Sequence, residues 1–218
     1  MNNSSSQRLR ELLKSIQKID YINPEDIPNI DLYMDQVTTF MDHHLASSKR
    51  FEDDKILTKT MINNYTKNKL LPPPEKKKYS KEHMLLLIFI YYFKNFLSIS
   101  DIQSILSPLT ELFFGREEGT TLEQVYQELF ELQLDNIDVL TKDIMQKWKE
   151  SKKTFPQIEN EEEKEFLSIF SFICTLSFDV WVKKTIIDHI IDHSISTDDE
   201  NEPSKKEKSA TESSADKP

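Results

Sequence analysis

Apolar residues recur every three or four positions along most of this chain, the spacing that gathers them on one face of a helix. Between Gln7 and Ile19 the series is Leu9, Leu12, Leu13, Ile16 and Ile19. From Leu32 to Leu45 it is Leu32, Met34, Val37, Phe40, Met41 and Leu45, which predicts a second helix. Asn23-Pro24 between them reads as a cap followed by a proline in a first turn. The polar, mixed-charge stretch from Ala46 to Lys55 reads as a loop. Thr58 is placed to cap a short helix ending near Lys69, and Pro72-Pro73-Pro74 forbids its continuation. Ser80 precedes a strongly apolar helix from Lys81 to Leu97. Ser100 with Gln103 fits a capping box for a helix through Leu106, with Pro108 beyond it. Thr121 with Gln124 opens a long amphipathic helix toward Lys149, with a break expected near Leu134 to Asn136. Asn160 with Glu163 opens a last helix to about His193. Residues from Ser196 onward lack aromatics and are dense in charge, serine and proline, the composition of a disordered tail.

Composition reinforces an all-α reading. The only glycines among 218 residues are Gly115 and Gly119. Doubly wound folds and phosphate-cradling loops need glycines at fixed places, because only glycine lets the backbone turn tightly beside a ligand. The chain divides into an N-terminal helix (1–21), a central domain (22–110), a C-terminal helical domain (120–194) and an acidic tail (195–218).

Several functional classes drop away. A single cysteine, Cys174, makes neither an internal disulfide nor a structural zinc site, and it reads as a small apolar residue. The polar start, Met1 to Ser6, is no signal peptide, so a cytoplasmic location is expected. Two apolar runs, Met84 to Phe93 and Phe166 to Val182, fall short of the ~20 residues a membrane span needs. Both are expected to be buried core helices, with no membrane partner. His189 and His193, beside Asp188 and Asp192, lie one helical turn apart. Two imidazoles without a third strong ligand read as a solvated helix end, so neither metal nor cofactor is expected. No nucleophile elbow, zincin motif or glycine loop occurs, and the chain is not read as an enzyme.

The informative stretch begins at Ile56. On a helix from Leu57 to Lys69, turning 100° per residue, Leu57, Met61, Ile62 and Tyr65 gather on one side. Thr60, Asn63, Asn64 and Lys67 gather on the other, with Lys59 at its edge and no acid among them. Asparagine pairs with adenine edges, threonine reaches base edges or a thymine methyl, and lysine suits phosphate or guanine. Next comes a proline-stiffened loop carrying Lys76, Lys77 and Lys78 in a row. Basic loops of this kind lie on phosphates beside a reading helix. The net charge is −10, yet Lys49 to His83 holds ten basic residues against five acidic ones. That segment is therefore +5 and the rest of the chain −15, so positive charge is concentrated around the helix.

The order LTKTMINNYTKNKLLPPP resembles the second helix of MerR-type regulators, with a hydroxyl residue at its start, an Ile-x-x-Tyr core and a Leu-Leu-Pro exit to a wing. YSKEHMLLLIFIYYFKNFLSISDIQSIL is similar to that family's continuation. More closely, Ile22 to Leu109 resembles the bacterial family known as domain of unknown function 1836. The resemblance implies a winged helix-turn-helix that binds double-stranded DNA, in which Thr60, Asn63, Asn64 and Lys67 face bases. It gives Lys59, Tyr65, Lys76, Lys77, Lys78 and Tyr79 the work of holding phosphates or positioning the wing. The chain departs from the MerR pattern in having Asn63 where arginine is usual, and Lys77-Lys78-Tyr79 in place of Gly-Tyr-Arg. Its phosphate grip then relies on lysines.

The apolar C-terminal half is expected to be core, with part of its surface serving a homodimer, since symmetric regulators read two half-sites. A pocket between its helices would admit a hydrophobic effector whose identity the sequence leaves open. The leading expectation is a sequence-specific transcription regulator. The alternative is an interaction or adaptor protein with the same fold and no DNA binding.

Overall fold

The computed structural model describes residues 3–16 and 22–195. The tail from Ser196, and Ile19 of the first apolar series, lie outside them. The described chain is mostly helical. In order it runs α1 (Asn3–Ile16), β1 (Leu32–Tyr33), α2 (Met34–His44), α3 (Lys59–Lys67), β2 (Lys78–Tyr79), α4 (Lys81–Phe93), α5 (Ile99–Phe113), α6 (Leu122–Ser151) and α7 (Glu161–Ile190), closed by a π-helical turn, Ile191–Ile195. The strands pair antiparallel, with Leu32 opposite Tyr79 and Tyr33 opposite Lys78.

One core organises these elements. Val37 and Met41 of α2, Ile62 of α3, Leu85 to Ile88 of α4 and Ile102 of α5 are almost wholly buried. Helix α4 is apolar on all sides because its neighbours cover all sides. Leu122 and Tyr126 carry the root of α6 into the same core, where the Tyr126 hydroxyl donates to the Ile22 carbonyl at 2.8 Å. Ile191, just beyond α7, returns to it as well.

Most caps fall where the sequence places them. Asn23 accepts from the Glu25 amide, Thr121 from Gln124, and Asn160 from Glu162 and Glu163. The differences have physical causes. Leu32 and Tyr33 form a strand rather than the first turn of α2, because their backbone pairs with β2. Helix α4 ends at Phe93, four residues early. Ser98, rather than Ser100, caps α5, with Asp101 completing the box. Helix α5 then runs through Pro108 to Phe113, because Leu109 and Phe113 pack against the core on the far side of the proline. Helix α6 is unbroken at Leu134 to Asn136.

The largest difference is in α7. Met84 to Phe93 lies in or against the core as expected, but Phe166, Phe170, Ile173, Val180 and Trp181 are each more than half exposed. The run is not a core helix. It lies within Glu161–Ile195, which is long and apolar enough to cross a membrane by length and composition alone, so the length criterion does not exclude a span. Lys147 of α6 pairs with Asp179 of α7, and Thr154, just after α6, shares a hydrogen bond with Ser171 at 3.2 Å. Trp148 meets Phe172 edge-on between the two helices.

Candidate nucleic-acid interface

Helix α3 is built to show one flank to solvent. Thr58, in extended backbone, accepts from the Met61 amide at 3.2 Å and fixes the start. Ile62 and Tyr65 are buried and Met61 partly so, which leaves Thr60, Asn63, Asn64 and Lys67 exposed on the opposite flank. The helix ends in a Schellman motif. The Leu70 amide donates to the Tyr65 carbonyl at 2.9 Å and the Lys69 amide to Thr66 at 3.2 Å. Lys69 takes the left-handed position with φ 58°. Buried Leu70 and Leu71 then anchor the exit. At the other end, the ammonium of Lys94 donates to the Ile56 carbonyl at 2.6 Å and ties the approach to α3 to the end of α4. Burial holds the pKa of Lys94 below the usual lysine value.

The lysine loop folds into a tight turn. The Lys78 amide donates to the Glu75 carbonyl at 2.8 Å, and Lys76 and Lys77 occupy left-handed conformations, φ 46° and 66°. Two successive left-handed residues between paired strand positions make the I′ type of hairpin turn, which normally recruits asparagine and glycine. Here two exposed lysines sit at the tip, at ~1–2 kcal/mol of strain each. Lys78 is half-buried, its ammonium 5.3 Å from the centre of the Tyr33 ring. Strand β1 therefore holds the base of the turn.

Two of the expected contact residues face inward. Tyr65 and Tyr79 are 5% and 3% exposed, and burial raises the pKa of both hydroxyls. Both support α3 and the lysine turn from beneath, a placement that suits positioning, the second of the two roles the resemblance offers them. Lys59 is exposed but paired with Asp35 at the start of α2, so an acid belonging to a neighbouring element borders the acid-free flank. The sequence reading missed Asp35 because the charge count began at Lys49, and the fold brings α2 beside α3. It also missed Lys69, which is exposed beside Lys67. The Leu-Leu-Pro exit carries the signal for Lys69, since a buried C″ leucine marks the preceding residue as the left-handed one.

Beside the lysine turn, in the first turn of α4, lies His83. Its Nδ1 accepts from the Ser80 amide at 3.1 Å and from the Ser80 hydroxyl at 2.8 Å, completing the cap of α4. The imidazole is packed edge-on between Tyr79 and Phe114. Desolvation lowers its pKa, opposed by the carbonyls of Pro73 and Pro72 and the charges of Asp31 and Glu75. Elsewhere, the His189 and His193 rings stack at 4.1 Å, and no cluster of three metal-ligating side chains occurs among the described residues. A cavity of about 220 Å³ opens between α4 and α6, walled by Phe89, Tyr92, Phe93, Tyr126 and Phe130.

The stretch that carries this surface, from Ile22 through the root of α6, is similar to a known sequence family. Residues 22–129 match the family model described as Domain of unknown function (DUF1836). The match extends the sequence reading beyond Leu109 to the root of α6, where Leu122 and Tyr126 complete the core. The matched region contains α3, the lysine turn and their supports, while most of α6 and all of α7 lie beyond it. No curated protein and no solved structure matches the chain.

Proposed function

We propose that this protein is a sequence-specific DNA-binding transcription regulator acting in the cytoplasm, probing the major groove with α3 in the manner of MerR-type winged helix-turn-helix proteins. The observation that carries the reading is the exposed flank Thr60, Asn63, Asn64 and Lys67, which bears no acid of its own, on a helix whose start, end and underside are all fixed by the fold. A rigid helix bearing amides and no carboxylate enters a groove without like-charge repulsion, and its asparagines are suited to adenine N6 and N7. Lys76 and Lys77, at the strained tip of the wing, supply phosphate contacts. Strain retained at an exposed turn is a pointer to function. The aromatic cavity between α4 and α6 is where an apolar effector would reach the DNA-binding unit.

The test is a gel shift on the protein's own promoter fragment at fixed, moderate salt. Asn63→Ala with Asn64→Ala should abolish discrimination over competitor DNA, each missing bidentate pair removing ~1–3 kcal/mol, while Tm stays unchanged. Specific binding that survives this double substitution removes α3 as the reading helix. The second reading, an adaptor without DNA binding, is favoured by the exposed apolar residues of α7. It wins if the wild-type protein shifts no DNA at low salt.

A further inference from the structure

Helix α7 presents an apolar strip that, among the described residues, neither α6 nor any other element covers. At 100° per residue, Phe166, Phe170, Ile173, Cys174, Ser177, Val180 and Trp181 fall within one third of the helix circumference, and all are exposed. Between Glu165 and Lys183 the only charge is Asp179, which is turned the other way and paired with Lys147 of α6. The strip ends in opposite charges: Glu162 and Glu163 stand at its N-terminal end and Lys184 at its C-terminal end.

We propose that this strip is the seat of a second copy of the chain, with the two α7 helices packed antiparallel about a two-fold axis between Ile173 and Cys174. That register is set by charge and by size together. It places Phe166 opposite Trp181, Phe170 opposite Ser177, and Glu163 opposite Lys184, each pair occurring twice. A large ring faces a small serine in the inner pair, as interdigitating helices require. Lys184 already bonds Asp188 one turn along its own helix, and the partner's Glu163 joins the same ammonium. A parallel pairing would set Glu163 against Glu163 and Lys184 against Lys184. The same patch meets itself across a two-fold, so the assembly closes at two copies.

The area suffices. Phe166, Phe170, Ile173, Val180 and Trp181 are 52–65% exposed, and with Phe178 beside them they offer roughly 600 Å² per copy. Standard interfaces bury ~800 Å² per partner, which the flanking charged residues complete. Residues 196–218 contain no large apolar side chain to fill the strip; a second copy of the strip does.

The proposal concerns association without DNA, so it stands or falls separately from the reading of α3. Sedimentation equilibrium of the full chain should give a dimer at micromolar concentration. Ile173→Glu places two carboxylates at the axis and should raise the dimer Kd by at least ~100-fold. Because Ile173 is exposed in the single chain, circular dichroism and the apolar core should be unaffected. Glu163→Lys and Lys184→Glu should each weaken the dimer, and their combination should restore it. Spin labels on Cys174 should lie close together across the axis, whereas labels at position 163, in a Cys174→Ser background, should lie ~30 Å apart from the helical rise. A monomeric wild type, a dimer indifferent to Ile173→Glu, or close labels at position 163 overturns the proposal. So does a monomer that binds phosphatidylglycerol vesicles and releases them on Ile173→Glu, which assigns the strip to a lipid surface.

Discussion

Lysine occupies three left-handed positions at the candidate interface, Lys69, Lys76 and Lys77, in a chain that has just two glycines to spend on such turns. Replacing Lys69 by glycine should raise stability by ~1 kcal/mol, seen as a Tm increase of about 2–4 °C. The pair Lys76→Asn with Lys77→Gly should likewise stabilise the fold while weakening binding to all DNA sequences. A thermal melt and a salt titration on the same sample check both effects, and a stabilised variant with undiminished affinity would remove the wing tip from the phosphate grip. His83 makes a third prediction. Its folded pKa lies below the unfolded value near 6.5, so the unfolded chain binds the extra proton first as pH falls. The stability that neutral His83 provides is present above pH ~6.5 and is lost as pH drops through the lower folded value. Of the groups facing it, the Pro72 and Pro73 carbonyls, Asp31 and Glu75 narrow that window. Tm measured across this range should fall for the wild type and flatten for His83→Asn, which can still accept the Ser80 amide. At this scale the sequence was readable wherever one side chain decides the local geometry, as at Thr58 and Asn160. It left two roles open for Tyr65 and Tyr79, phosphate contact or positioning, and their burial suits the second. Tyr65 already shares the greasy flank of Leu57, Met61 and Ile62, and that flank decided its burial.

Helix boundaries show where local signals lose to packing. Two serines compete to cap α5, and Ser98 prevails because its hydroxyl accepts from the Asp101 amide while the Asp101 carboxylate accepts from the Ser98 amide, both at 3.1 Å. Ser98→Ala should therefore cost ~1 kcal/mol, and Ser100→Ala only a few tenths, a difference that urea midpoints resolve. Pro108 removes one backbone bond, at a cost of ~3 kcal/mol in a helix interior. The burial of Leu106 before it and the packing of Leu109 and Phe113 after it outweigh that cost. Such outcomes are invisible to a scan along the chain, because the compensating contacts come from α4 and from the turn after α7. For the same reason α7 could not be told from a core helix. Its apolar content was legible, but whether other parts of the chain cover it depends on folding, and α6 touches only one side.

For the molecule as a whole, charge is distributed by segment. The stretch from Lys49 to His83 carries +5 against −15 elsewhere, so approach to a polyanion would be oriented, the basic segment leading and the acidic remainder repelled. Substituting Lys76, Lys77 and Lys78 together should lower the slope of log affinity against log salt by ~0.9 for each phosphate no longer neutralised. An unchanged slope would place the phosphate grip elsewhere. Tyr126→Phe tests the link between α6 and the rest. It leaves the Ile22 carbonyl unpaired in a buried setting and should cost ~1–3 kcal/mol, read from urea denaturation.

Helices α6 and α7 are both fastened at the same end, one through Leu122 and the other through Ile191, in the core that also seats α3. Two struts pinned side by side cannot scissor freely, so any tilt at the foot would carry both together as one boom. With 30 residues in α6, the boom reaches ~45 Å, and a tilt of ~5° at its foot sweeps its tip through ~4 Å. A change of a few degrees where the aromatic cavity meets α4 would thus be read out as a shift comparable to the rise of a base-pair step.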